Sequence, residues 1–157
     1  MLVNFSQTLT LAATQQDAWN LLRDMKRLAA LIPGVESMLP VDQEKYAATV
    51  VERVGPFRLS LKLEVRIVQA IEPSLLKAEL SGTDSYGQNR LSGTLSAELQ
   101  KASSAETVLS MDSRVEVTGK LATLGAAPIR RRANELFAQF AERLQGQFST
   151  AGKESAS

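Results

Sequence analysis

The chain of 157 residues contains neither cysteine nor histidine. Disulfides, thiol nucleophiles, imidazole general bases, Ser-His-Asp triads and the usual zinc ligand sets are therefore excluded, and with them most familiar enzyme classes. An excess of charge of one sign is missing too. Eighteen Lys and Arg against seventeen Asp and Glu leave a formal charge of +1, which offers no electrostatic basis for binding nucleic acid or a strongly acidic partner. No apolar run approaches the ~20 residues of a membrane-spanning helix. Residues 1–11 alternate and lack a basic leader, so they read as a strand and not as a signal peptide. The expectation is a cytoplasmic protein, and the absence of cysteine agrees with a reducing compartment.

What is present is a period of two. Between residues 57 and 67 every odd position is apolar (Phe57, Leu59, Leu61, Leu63, Val65, Ile67), whereas Arg58, Ser60, Lys62, Glu64 and Arg66 are polar. This pattern describes a strand wet on one face and covered on the other. Over 57–68 it would reach ~40 Å, long enough to need coiling. The cover is a helix near the C-terminus. With Ile129 as origin and about 100° per residue, Ala133, Leu136, Phe137, Phe140 and Leu144 fall in a stripe about 100° wide. Arg131, Glu135, Gln139 and Glu142 fall opposite, and residues 129–148 make ~30 Å of helix.

The remaining punctuation gives the order of elements. A first strand carries Val3, Phe5 and Leu9 to Leu11. Thr14 with Asp17 resembles a capping box opening a helix through Ala18, Trp19, Leu22 and Met25, and a second short helix runs through Leu28, Leu31 and Ile32 until Pro33-Gly34 stops it. Strands over 35–41 and 46–54 flank a turn at Asp42 and Gln43. Gly55-Pro56 leads into the long strand, Glu72-Pro73-Ser74 leads out, and strands over 76–84, 87–99 and 107–119 complete a meander. Gly82, Gly87 and Gly93 suit a sheet that coils or bulges. A weak helix over 121–127 precedes Pro128, which fits the first turn of the long helix. Strand, two helices, about six strands and one long helix make an α+β domain over 1–148, with a polar, disordered tail at 149–157.

Several short motifs lie in this frame: Ile32-Pro33-Gly34-Val35-Glu36, Val54-Gly55-Pro56-Phe57, the two strands around Gly82 and Gly93, and VEVTGKLATLG from Val115 to Gly125. In order and spacing they resemble the CoxG-like family, named for the G subunit of carbon monoxide dehydrogenase, within the START-like helix-grip superfamily. The resemblance implies a seven-stranded curved antiparallel sheet wrapped around the C-terminal helix, with an apolar cavity between them. It also implies a non-catalytic accessory protein of a molybdenum hydroxylase such as carbon monoxide dehydrogenase, serving its maturation or membrane recruitment and binding a hydrophobic quinone or lipid-like molecule. Many members carry a further membrane-associating segment at the C-terminus. Residues 152–157 have no such character, so the expectation is at most peripheral contact with the inner face of the membrane.

The expected ligand site is Leu61, Leu63, Leu80, Leu95, Met111, Ser113, Leu136, Phe137 and Phe140, with no metal and no cofactor. One by one these are ordinary core residues; as a set on a sheet coiled about one helix they enclose volume. Ser113, in register with Leu109, Met111, Val115 and Val117, is a lone inward hydroxyl, either satisfied by backbone or free to orient a carbonyl-bearing ligand. Asp84, Tyr86 and Arg90 are the best acid, phenol and guanidinium candidates should chemistry occur, although a turn of such residues needs no function. Glu116 should point outward. In Arg130-Arg131-Arg132 the side chains fan over ~200°, so the expectation is a solvated face, with Arg131 paired to Glu135 and Arg130 bordering the cavity mouth. Trp19 is a helix–sheet anchor, and the short helix with Met25, Leu28 and Leu31 is a candidate lid. Two alternatives to the carrier reading stand beside it: a polyketide cyclase or dehydratase-like enzyme, and a protein–protein adaptor whose cavity is filled by its own side chains.

Overall fold

The alternating run forms the longest strand of a seven-stranded antiparallel sheet. The computed structural model describes the backbone of residues 1–156 and the side chains of 1–148; the expected tail, 149–157, lies outside the residues described in full. Along the chain run β1 (Leu2–Leu11), α1 (Gln15–Arg23), α2 (Met25–Leu31), β2 (Val35–Asp42), β3 (Lys45–Val54), β4 (Phe57–Ile71), β5 (Leu75–Asp84), β6 (Asn89–Lys101) and β7 (Thr107–Gly119). A 3-10 turn (Lys120–Leu124) then leads into α3 (Ala126–Ala156). The sheet order is β1-β7-β6-β5-β4-β3-β2, so β2 to β7 pair in chain order, β1 pairs with β7, and β1 and β2 are the two edges.

On β4 the odd residues face inward as the alternation requires: Leu59 and Leu61 are buried, whereas Arg58, Lys62, Glu64 and Arg66 are exposed. The pattern breaks after Ile67. A register shift between Ile67 and Gln69 leaves Val68 unpaired and exposed, and Ile71 exposed at the strand end. Such bulges bend the bulged strand and add twist. Two glycines mark where the inner face draws tightest. A Cβ on Gly82 would collide with the Lys62 carbonyl oxygen, and one on Gly93 with that of Arg114. No side chain fits at either position.

The helices are delimited by local polar groups. Thr14 Oγ1 accepts from the Asp17 amide at 3.1 Å, capping α1. Asp24 both ends α1 and caps α2, accepting from the Arg27 amide at 3.2 Å, so Met25 belongs to α2 and not to the first helix. Trp19 is buried, and its Nε1 donates to Glu72 Oε1 at 2.9 Å, tying α1 to the turn after β4. The weak helix over 121–127 is the 3-10 turn, ended by Gly125 at φ +83°. Pro128 sits in the first turn of α3, where its missing N–H has no helical partner to lose.

Two hydrophobic clusters result. One joins Leu9, Leu11, Trp19, Leu21, Leu22, Leu31, Leu76, Leu99, Leu109, Phe140 and Leu144, and is sealed by α1, α2 and α3. The other joins Val3, Val54, Leu59, Leu61, Val117 and Leu121 near the start of α3.

Candidate functional site

Between the inner face of the sheet and α3 lies a cavity of about 430 Å³. Its walls come from β1, β7, β6, β4 and β3, from Ile129, Ala133, Leu136, Phe137 and Phe140 on α3, from Ile32 and Pro33 in the loop between α2 and β2, and from Val35 at the start of β2. Thus the Ile32-Pro33-Gly34-Val35 motif borders the cavity. Gly34 adopts φ +83° there, and a Cβ on it would lie 2.7 Å from the Val51 carbonyl oxygen, so the loop lies directly on β3. Phe5 and Phe137 meet with ring centroids 5.6 Å apart and tilted by 60°, and Phe137 meets Phe140 at 6.3 Å. This tilted geometry suits aromatic quadrupoles.

Eight of the nine expected residues line the wall: Leu61, Leu63, Leu95, Met111, Ser113, Leu136, Phe137 and Phe140. Leu80 does not. It is half-buried on β5 between Val65 and Gly93, and β5 contributes no side chain to the cavity. Where β5 crosses beside Leu63 and Leu91, its inward position is Gly82. Ser113 is half-buried and reaches the cavity between Phe5 on β1 and Leu95 on β6.

The alternation and the helical wheel also place a pair of charges in the wall. Glu52 stands opposite Leu59 on the inner face, in phase with Val50 and Val54, and its side chain is only 14% exposed. Arg132 of α3 donates through its Nη2 to Glu52 Oε1, and through Nη1 to Glu135 Oε2 at 2.8 Å. These hydrogen bonds, that to Glu52 first, raise the pKa of the guanidinium and keep it charged. Its Nε is buried and has no hydrogen-bond partner among the described residues. Both residues line the cavity. Both signals were present in the sequence: Glu52 is a carboxylate at an apolar phase of its strand, and Arg132 falls at about 300° on the wheel, beside Leu136.

The expectations for the arginine run are corrected accordingly. Arg130 and Arg131 are exposed and outside the wall, and the partner of Glu135 is Arg132 at i,i+3, not Arg131 at i,i+4. The candidate lid is corrected as well. Met25, Leu28 and Leu31 pack with α1 in the first cluster, and only the following loop reaches the cavity.

Asp84, Tyr86 and Arg90 do not converge on the cavity. Tyr86 is 88% exposed at the turn, and Arg90 points to solvent. Asp84 holds the hairpin: its Oδ1 accepts from the Gln88 amide and its Oδ2 from Asn89 Nδ2, each at 2.7 Å. Burial pushes its carboxyl up, but the hydrogen bonds from Asn89, Gln88 and Tyr86 together hold it below the ordinary carboxylate value. Asn89, itself buried, accepts from the Leu121 amide at 2.6 Å and so fixes the 3-10 turn that closes one end of the cavity. Glu116 is exposed on the outer face, as the alternation required. Among the described residues no acidic cluster could hold a metal ion, and no helix is long and apolar enough to cross a membrane.

Solved structures share this architecture. A conserved protein from Geobacillus kaustophilus superposes with a TM-score of 0.87 at 20% identity, covering 95% of this chain and 97% of its own. A START superfamily protein from Mycobacterium smegmatis gives 0.72 at 14% identity over 94% and 98%. The Zhui aromatase/cyclase from Streptomyces sp. R1128 gives 0.68 at 13% over 95% and 94%. At these identities the likeness speaks for the fold, a START-like helix grip. A comparison with curated protein sequences finds no match. The sequence profile of CoxG, the G subunit of carbon monoxide dehydrogenase, covers residues 8–149, nearly the whole domain, and the chain therefore belongs to the CoxG family.

Proposed function

We propose that the protein is a non-catalytic carrier that holds a hydrophobic molecule, quinone or lipid-like, between the sheet and α3, and that it serves a molybdenum hydroxylase of the carbon monoxide dehydrogenase type as an accessory or membrane-recruitment factor. The observation that carries this reading is the cavity of about 430 Å³ with almost wholly apolar walls. Cavities of this size and character suit small hydrophobic ligands. Binding would draw on apolar area removed from water, at about 25 cal/mol per Å² before the costs of association. Family membership supports the choice of partner. The ligand is sought by native mass spectrometry of the purified protein and by uptake of the apolar fluorophore N-phenyl-1-naphthylamine. A protein that carries no lipophile and takes up no fluorophore is not a carrier.

One observation favours a second reading. A cyclase-like enzyme needs an acid or base in the cavity, and Glu52, beside Arg132, is one. Turnover of an aromatic polyketide substrate that is lost in Glu52→Gln, with the fold retained, would establish that reading. Asp84→Asn and Tyr86→Phe should leave any activity intact.

A further inference from the structure

Most of the cavity wall is held by the ladders of the sheet or by α3. Two short segments are not: Ile32-Pro33 and the 3-10 turn Lys120–Leu124, which contributes Leu121. The first is pinned through the main chain, the Val51 amide donating to the Gly34 carbonyl at 2.8 Å. The second hangs mainly on a side chain. Among the described residues two hydrogen bonds tie it to the sheet, a long one from the Lys120 amide to the Gln88 carbonyl at 3.3 Å and one from the buried Leu121 amide to Asn89 Oδ1 at 2.6 Å. Within itself the turn is closed, since the Gly125 amide donates to the Ala122 carbonyl at 3.2 Å and Thr123 Oγ1 to the Lys120 carbonyl at 2.5 Å. Gly119 (φ 101°, ψ −157°) and Gly125 (φ 83°, ψ 169°) bracket it, both in a region that essentially only glycine enters. A Cβ on Gly125 would meet nothing within 4 Å, so that glycine answers to the backbone and not to crowding. Leu121 lines the void while Lys120 and Thr123 are exposed, which makes the turn a single layer of chain between void and solvent.

We infer that the 3-10 turn is the door of the cavity, swinging as a unit about Gly119 and Gly125, and that Asn89 is its catch. The inference rests on the carrier reading of the cavity. Opening breaks the two hydrogen bonds to the sheet and withdraws Leu121, while Leu124 slides over Gly55, which offers no side chain to hold it. Hinges of this kind need only a few residues that absorb the change in φ and ψ. Asn89 is itself set by Asp84, whose Oδ2 accepts from its Nδ2 at 2.7 Å and whose Oδ1 orders the hairpin that carries the exposed Tyr86. One chain of hydrogen bonds thus runs from the outer hairpin to the door.

The test is stopped-flow measurement of N-phenyl-1-naphthylamine uptake and release. A door changes both rate constants together and leaves Kd alone, whereas a wall residue changes Kd. Asn89→Ala, which removes the acceptor of one hydrogen bond, should raise uptake and release by about tenfold each. Gly125→Ala, which strains one hinge and touches no neighbour, should act in the same direction. Gln88→Cys with Lys120→Cys lies one step beyond the Asn89–Gly119 pair, within reach of a disulfide, and the chain has no cysteine of its own to interfere. Oxidation of this pair should slow both rates by about tenfold or more, and a thiol reductant should restore them. Unchanged rates in the oxidised pair would overturn the inference, even where Asn89→Ala fails to fold; so would a folded Asn89→Ala or Gly125→Ala protein in which only Kd moves. In either case the carrier reading stands, provided the fluorophore binds. A wild-type protein that takes up no fluorophore overturns both.

Discussion

The two hydrophobic clusters are made of the same kinds of residue and behave as opposites. In the cluster under α1 and α2, Leu11, Leu21, Leu109 and Leu144 are almost completely shielded, and of its buried members only Phe140 touches the cavity. At the other end Val3, Val54, Leu59, Leu61, Val117 and Leu121 are nearly as well shielded, yet all six are cavity wall. Coverage makes the difference. Two short helices and part of α3 fill the first region, whereas the second has only the start of α3, the 3-10 turn and the loop at Ile32 to stand over it. Low exposure to water therefore does not mean close packing. A wall residue meets the void with a small part of its surface, and over that part it lacks the contacts that a core residue makes.

Substitutions can sharpen or break this contrast. The largest effects belong to the sealed end: Leu109→Ala and Leu144→Ala should each cost about 3–5 kcal/mol in urea denaturation, because nothing can collapse into the space they leave. Phe140, which belongs to the sealed cluster and also borders the void, should fall below the usual ~3–5 kcal/mol for a buried Phe→Ala. Leu61→Ala at the open end should cost only about 1–2 kcal/mol, since part of its surface already faces empty volume. Matching losses for Leu61→Ala and Leu109→Ala would erase the distinction.

Met111→Trp should cost less still, with an unchanged circular-dichroism spectrum, but it should abolish fluorophore uptake, because a preformed void takes added volume that a close-packed core rejects. Unfolding of this variant would mean that the region is core after all. The smallest effect concerns acid. Asp84 has a carboxyl held below its ordinary value in the folded state, so its contribution is present above the unfolded value and fades as pH falls through the folded one. Between neutral pH and pH values below the ordinary carboxylate range, the wild-type urea midpoint should fall slightly more than that of Asp84→Asn. Parallel curves would remove Asp84 from the account of the open end.

Much of this was legible in the residues themselves. Period two from Phe57 to Ile67 located β4 and its inner face, and the stripe from Ile129 to Leu144 located the face of α3, because each pattern repeats often enough to outweigh local exceptions. Five wall residues, Leu61, Leu63, Leu136, Phe137 and Phe140, followed from those two faces, and Leu95, Met111 and Ser113 from the phase of β6 and β7. The bulge at Val68 was not legible, since an apolar residue in either phase satisfies the pattern and only pairing with β5 reveals the shift. Arg132 was masked by its neighbours: in a run of three arginines, charge suggests solvent for all, and only the wheel angle separates the one beside Leu136. Leu80 was misplaced for a different reason. Strand phase fixes which face a residue occupies, but not whether the void extends over it.

Gly82 and Gly93 give the cavity a determinant that no wall side chain provides. Because Cβ atoms there would collide with the carbonyls of Lys62 and Arg114, the radius of curvature of the sheet is set by the absence of two methyl groups. Side chains in the wall shape the outline of a guest; these two hydrogens set the bore. Drift at Leu63, Leu95 or Met111 would retune the fit in small steps, whereas any replacement of either glycine would flatten the sheet and change how far it stands from α3. The shape of the void is thus adjustable at its surface and locked in the backbone behind it.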